Sequence, residues 1–472
     1  MKLFYPEICC YYPDIDYTNR IECYNYRWKE KYLFLMHSIL FSSIRNKKNF
    51  NGYTNLDSTL LAKLLGERYY KAVLTQLLNS NIIQVLTNKN GSAVYSAGAF
   101  SKAYRINPEI LKDTRIKAEP IKKQTYCRKL SEVKQKQLTE ALKINPNLQH
   151  EFLMLTYRMI DVEAATNYIK TNYEEGTPKY NSRIIAVKEF NAMHEANTDL
   201  TRYKVNFHFS LKGGRVYSPA SMLPRDLEQF TYFIGHEEDK SVCLDMPNSQ
   251  LCFFNELVEL SKTITGEKHL NIEIEKKCQN IGRKEREEIR GDYKNFFQSK
   301  SNTSPSHTLP YVVTINPNSW QNVIFRGEGY ERMMFLSKWK DKTEGHTKQE
   351  RQLFKEVFFG ELFYNKYKPN YLTPLERVFK EHHHAEATAL RSIKSKLGNK
   401  LLAIQVQKLE GKFFHDILVR YLKTNYIDVP FTIKHDSITL PKDCASFLID
   451  ELNMLVQQFF NRTEIGFKYE EL

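Results

Sequence analysis

Near the C-terminal end, Val429-Pro-Phe-Thr-Ile-Lys-His435-Asp436-Ser437-Ile-Thr-Leu440 reads as two strands joined by a turn that holds His-Asp. Far upstream, Ser241-Val-Cys-Leu-Asp245 is a third apolar strand ending in a carboxylate, followed by Met246-Pro-Asn-Ser-Gln250-Leu and a helical run. Short apolar runs of this kind belong to a buried sheet. Two aspartates at such strand ends can sit side by side and share a pair of divalent cations, Mg²⁺ or Mn²⁺. Two-metal phosphoryl transfer needs that arrangement, with one ion activating an attacking 3′-hydroxyl and the other holding a triphosphate. Taken singly, each aspartate is an ordinary turn or cap residue.

Between the two lies Arg351-Gln-Leu-Phe-Lys355-Glu-Val-Phe-Phe359-Gly360-Glu-Leu-Phe363-Tyr364. Arg351, Lys355 and Phe359 recur at i, i+4 and i+8 and share one face of a helix. Two cations and an aromatic on one face suit a triphosphate and a stacked base. The bland alternative is an amphipathic helix whose cations snorkel to water. Other features carry less. Glu381-His-His-His384-Ala-Glu386 on a continuous helix would fan its histidines apart by about 100° each, so one ion cannot use all three. The run Glu273–Arg290 reads as an exposed charged helix with Lys284, Arg286 and Arg290 on a face available to template.

The ends and the composition narrow the class. The 472 residues carry 69 Lys and Arg against 55 Asp and Glu, a net +14 that suits a polyanionic partner. No apolar run approaches the ~18 residues a membrane-spanning helix needs. Met1-Lys-Leu-Phe-Tyr-Pro-Glu7 has no secretory pattern, so a cytoplasmic protein without membrane contact is expected. The eight cysteines form no Cys-x-x-Cys pair, which argues against a zinc knuckle or dithiol site. From about Asp16 to Pro108 the pattern is a helix over Trp28–Ile44 and a short helix capped by Asp57. A break at Gly66 follows, then a helix through Arg68–Leu78, a strand at Ile82–Leu86, a hairpin signal at Asn90-Gly91 and a strand at Tyr104–Ile106. That order predicts a winged helix whose second helix offers Arg68 and Lys71 to DNA. A basic linker, Lys112 to Lys129, leads into helices over 130–172, and a β-rich stretch opens near Thr201.

Ahead of Asp245 stand Gly214-Arg215-Val-Tyr-Ser218, Leu223-Pro224 and Arg225. This series resembles the region ahead of motif A in family A DNA polymerases and phage-type single-subunit RNA polymerases. The resemblance makes Asp245 the motif A aspartate and His435-Asp436 motif C. It makes Arg351, Lys355, Phe359 and Gly360 the fingers-helix motif that grips incoming nucleotide. Leu401-Leu-Ala-Ile-Gln405-Val-Gln407-Lys-Leu-Glu410 resembles the helix before motif C whose glutamine touches the primer–template minor groove, here Gln407. Tyr330 falls near a phosphate-contacting histidine of the family. The matching stretch covers residues 213–440, 228 of 472. The departures are Gln250 where DNA polymerases carry a glutamate that screens the ribose 2′-hydroxyl, Ser437 where they carry Glu, and Phe363 where both groups carry Tyr.

The expected fold is therefore α+β, a right-hand polymerase with an antiparallel palm sheet plus an N-terminal winged helix. Its expected parts are 1–110 winged helix, 111–200 helical linker and thumb, 201–250 palm, 251–395 fingers and 396–472 palm. Asp245 and Asp436 are the catalytic and metal-binding residues. Arg351, Lys355, Phe359, Gln250 and Tyr330 bind nucleotide. Arg215, Arg225, Gln407, His435, Arg68 and Lys71 bind primer–template. The leading reading is DNA synthesis from nucleoside triphosphates on a DNA primer–template, in replication of a mobile element. An RNA polymerase or primase, with RNA as a further template, comes second, and a non-catalytic DNA-binding replication initiator third.

Overall fold

A computed structural model describes residues 2–6, 28–45, 52–88, 90–94, 101–111, 116–120, 124–197, 208–210, 213–261, 270–279, 319–341 and 346–472. The protein is mixed α+β and mostly helical, with small antiparallel sheets. It divides into two compact units, Met1–Glu140 with Ile160–Lys204, and Ala141–Met159 with Val205–Leu472. Segment 111–200 thus contributes to both.

In the N-terminal unit, helix Lys29–Arg45 is followed by a short strand Thr54–Asn55, helices Ser58–Leu65 and Glu67–Asn79, and strands Ile83–Val85 and Ala103–Ile106. The three strands form an antiparallel sheet with Ala103–Ile106 in the centre. Asp57 caps its helix, its carboxylate accepting from the backbone N–H groups of Thr59 (2.8 Å) and Leu60 (3.1 Å). Gly66 turns the chain between two helices at φ +88, a value that suits glycine. Tyr32, Leu35, Ile39, Leu64, Val73, Leu77 and Ile83 close the core. The basic stretch read as a linker is different in kind. Ile116–Pro120 is a strand paired antiparallel with Lys2–Pro6, and helix Gln124–Ile144 follows. Of the β-rich stretch near Thr201, strand His208–Phe209 is described and 198–207 lie outside the described residues.

The C-terminal unit is organised around a four-stranded antiparallel sheet in the order Thr432–Lys434, Ser437–Pro441, Ser241–Asp245, Lys468–Glu471. Helix Lys442–Phe460 packs on its two middle strands. Helix Ser249–Ser261 begins four residues after Asp245 and is buried from Leu251 to Val258, so it runs through the core rather than across a surface. Phe253 meets Phe413, Phe414, Phe459 and Phe460 with ring centroids 5.1–6.5 Å apart. Helix Asn399–Lys412 lies against the turn at 213–215 at backbone distance. A Cβ on Gly411 would overlap the carbonyl of Gly214, which is itself at φ +66.

Two expectations are corrected. Residues 270–279 do form a helix, but Leu270, Ile274 and Cys278 are buried at i, i+4 and i+8, so it is an amphipathic core helix rather than an exposed charged one. Residues 280–290, with Lys284, Arg286 and Arg290, lie outside the described residues. The histidine run does not sit on one helix. His383 leaves helical geometry (φ −136, ψ 59) between helices Pro374–His382 and His384–Leu397. Its ring is buried against Trp320 and Phe379, centroids 4.9 and 5.5 Å away, and burial brings its pKa down to about 4. His382 and His384 are exposed.

The close glycine contact gives a stability test. Gly411→Ala should destabilise the protein by about 1–3 kcal/mol, since a methyl has no room against Gly214. Gly360→Ala, at a helical position with open space around it, should be neutral or stabilising by about 0.4–1 kcal/mol. Urea denaturation of the two variants measures the contrast.

Candidate functional site

Antiparallel register brings the two strand-end aspartates together. Asp245 pairs with Ser437, so its neighbour across the sheet is the residue that follows Asp436. The N–H of Met246 then donates to the carbonyl of Asp436 at 3.0 Å. Asp436 and His435 make the two-residue turn between Lys434 and Ser437. His435 occupies the left-handed region at φ +58, a conformation costly for a side chain and usually kept where the surroundings enforce it.

Both carboxyls are half-buried, and this partial desolvation raises their pKa values. For Asp245, burial is the main cause, opposed by Lys355, Arg225 and Lys468 and reinforced by Glu470. For Asp436 it is again burial first, then the negative charges of Glu410 and Asp245, with Arg215 pulling the other way. Lys355 feels the converse. Burial and Arg351 lower its pKa, while Asp436, Glu331 and Asp245 favour its charge. Lys355 thus lies within the electrostatic reach of both carboxyls.

The rest of the helix face assembles around Tyr330. On helix Lys348–Phe359, the Lys355 ammonium lies 4.7 Å and the Arg351 guanidinium 5.5 Å from the centroid of that ring. Phe359 is half-buried, its ring 6.1 Å from Tyr330 and 5.1 Å from buried Phe363. Arg351 is also ion-paired with Glu331. Burial raises the Tyr330 phenol far above its ordinary value, so it is a neutral ring on which two cations rest.

Arg215 and Gln407 reach the same region from behind. The Arg215 guanidinium, 12% exposed, is engaged by Glu410, its Nε donating at 2.8 Å. Its charge is thus committed inside the site rather than presented to a nucleic acid. Gln407 is half-buried one turn earlier on the same helix, its carbonyl 3.1 Å from where a Cβ on Gly213 would stand. His435 stacks edge-on to Tyr217 at 5.7 Å, and burial, with Arg215, Lys434 and His415, takes its pKa to about 4. At neutral pH it is an uncharged imidazole. Arg225 is exposed on the rim and ion-paired with Glu470. Gln250 is half-buried in the first turn of helix Ser249–Ser261. Arg68 and Lys71 belong to the N-terminal unit, exposed on helix Glu67–Asn79, with Lys71 3.7 Å from Glu67.

Three groups escaped the sequence reading. Glu410 is 1% exposed, and its second oxygen accepts from Ser249 Oγ at 2.8 Å. Glu410 is the one acidic residue on helix Asn399–Lys412, and that was the available signal. Arg158 is 1% exposed, and its guanidinium donates to Thr432 Oγ1 at 2.6 Å and to Thr231 Oγ1 at 2.9 Å. Lys434 donates to the Leu223 carbonyl at 2.8 Å and pairs with Glu228. Arg158 and Lys434 together tie down the hairpin that carries Asp436.

The donor set suits a hard divalent cation, because two desolvated carboxylates regain their charged form when a metal neutralises them. No group of three or more His, Cys, Asp or Glu among the described residues is disposed to hold a metal. Two carboxylates are what Mg²⁺ commonly takes from a protein when substrate phosphates and water complete its shell. Among the described residues no helix is long and apolar enough to cross a membrane. No protein-family model matches the chain, and no curated protein matches it significantly.

The raised carboxyl pKa values predict how stability responds to pH. Below the ordinary aspartate pKa both states hold the proton. As pH rises past about 4, the unfolded chain releases it while folded Asp436 retains it, so stability falls with pH. Asp436→Asn should therefore raise the melting temperature in divalent-free buffer at neutral pH and flatten this dependence. Thermal melts of both proteins at pH 4 and 7 test this, and equal slopes would contradict it.

Proposed function

We propose that the C-terminal unit is a template-directed nucleotidyl polymerase that prefers deoxynucleotides and works on a DNA primer–template. The observation that carries this is the register of the central sheet. It sets Asp245 and Asp436 at the same end of adjacent strands, and the charge of Lys355 is felt by Asp245 and favoured by both carboxylates. A face with two half-buried carboxylates, two cations and two aromatic rings matches the demands of a nucleoside triphosphate, which brings anionic phosphates at one end and a flat base at the other. Mg²⁺ or Mn²⁺ bound by Asp245 and Asp436 would supply Lewis-acid neutralisation of the transferring phosphoryl group. Lys355 and Arg351 take charge on the triphosphate, Phe359 and Tyr330 shape the base side, and Gln250 meets the sugar. Arg225 and Gln407 stand where a primer–template would pass. The small four-stranded sheet with its helices is the palm in this reading, and helices 320–397 the fingers.

Gln250 and Ser437 support a second reading as an RNA polymerase or primase. Gln250 is neutral and can donate a hydrogen bond to a 2′-oxygen, so it screens sugars by volume more than by charge. Discrimination of about ten- to a few hundred-fold is the range a filled volume supports.

The N-terminal unit fits a duplex-binding module in this scheme. Its order of helix, strand, two helices and two strands is that of a winged helix. By sequence, residues 1–140 and 160–204 hold 29 Lys and Arg against 19 Asp and Glu, +10 of the chain's +14.

Primer extension with labelled dNTPs and NTPs, on DNA and RNA templates with and without primer, tests the proposal. Template-dependent extension with a preference for dATP over ATP is expected. Asp245→Asn with Asp436→Asn should lower the rate by ~10³-fold or more. Extension that survives the double change would end the polymerase reading, and a clear preference for ATP would promote the RNA polymerase one. Separately, Arg68→Ala with Lys71→Ala should weaken duplex DNA binding and reduce its salt slope by about 1–2. An unchanged slope in a salt titration would remove these residues from the interface.

A further inference from the structure

We infer that Ser249 and Glu410 form a positioning pair that sets sugar selection, by fixing the helix end from which Gln250 projects. The inference rests on the polymerase reading above and names residues that the motif resemblance does not assign.

Between Asp245 and Gln250 the backbone passes from strand to helix in a turn of four residues. One end of that turn is tied by the pairing of Asp245 with Ser437 and by the Met246 N–H to the Asp436 carbonyl. The other end is tied through a side chain. Ser249 Oγ, on a residue 2% exposed, donates to Glu410 Oε1 at 2.8 Å. The remaining oxygen of Glu410 is held by Arg215, whose Nε donates at 2.8 Å. Glu410 is in turn kept in place because Gly411 lets its helix lie directly on Gly214. Asn248, between the two ties, sits in the left-handed region at φ +53, a conformation that side-chain-bearing residues seldom keep without support.

A neutral glutamine that selects by filled volume has to be placed closely. A displacement of about 1 Å opens the space a 2′-hydroxyl needs, and sites whose supporting groups are loose fail in this way. Glu410 supports the residue immediately before Gln250, and it does so with a charge-assisted hydrogen bond that bulk water cannot reach. Ser249 and Glu410 thus act through Gln250 and not on the nucleotide.

The test is the ratio of kcat/KM for dATP to that for ATP, measured with the full chain on one primed template. Ser249→Ala should lower the ratio by roughly threefold to tenfold, a modest part of what one hydrogen bond to a charged group can contribute. Ser249→Thr, which keeps the hydroxyl, should restore it, and Gln250→Ala should lower it at least as far as Ser249→Ala. A purely structural role for Ser249 would reduce both efficiencies by one factor and leave the ratio where it was. An unchanged ratio in Ser249→Ala, with a changed one in Gln250→Ala, overturns the inference while leaving the polymerase reading intact. An unchanged ratio in both removes Gln250 as the selector and the inference with it. Failure of the wild-type chain to incorporate either nucleotide ends the polymerase reading, and this inference falls with it.

Discussion

Two half-buried carboxyls at the same end of adjacent strands are the constraint on which the C-terminal unit depends. Burial and mutual repulsion both disfavour their charged forms, so nothing about the Asp245–Asp436 pair stabilises the fold by itself. What surrounds it is arranged to offset that cost. Lys355 comes from one helix, Lys468 from the last strand and Arg225 from the turn ahead of the sheet, and each bears on Asp245. Arg215 bears on Asp436 from behind.

The support for the hairpin is equally costly to build. Arg158 is fully buried and is held by two threonine hydroxyls, with the charge of Glu228 favouring its protonated form. Glu228 is itself paired with Lys434, the residue just before the His435-Asp436 turn. Buried charges of this kind are tolerated when each hydrogen-bonding group finds a partner, and removing one member leaves its partner uncompensated. The consequence is a turn that cannot drift, although His435 holds a left-handed backbone conformation.

Much of this was legible in the sequence. The strand ending at Asp245, the hairpin around His435-Asp436, the common face of Arg351, Lys355 and Phe359, and the Asp57 cap are all local patterns. Each is set by the period of a strand or helix or by the chemistry of a turn, and these act over a few residues. The α+β class follows from the same patterns. Where the reading failed, a residue's surroundings overrode its local pattern. Residues 270–279 look charged along the chain, yet three apolar residues one turn apart are enough to bury one side of the helix. His383 looks like one of three equivalent histidines, but Trp320 and Phe379 close over it where the helix breaks.

The sequence by itself determined which side chains share a face: the carboxylates at strand ends and the cations along one helix. Only the tertiary structure decided which of them meet. Glu410 finds Arg215 at a separation of 195 residues and Ser249 at 161, and Arg158 finds Thr432 at 274. No spacing rule links such positions. Their pairing depends on how closely two elements can approach, as where Gly411 admits Gly214, and on which polar groups that approach strips of water. Once stripped, each must find a partner within about 3 Å, and packing chooses the partner.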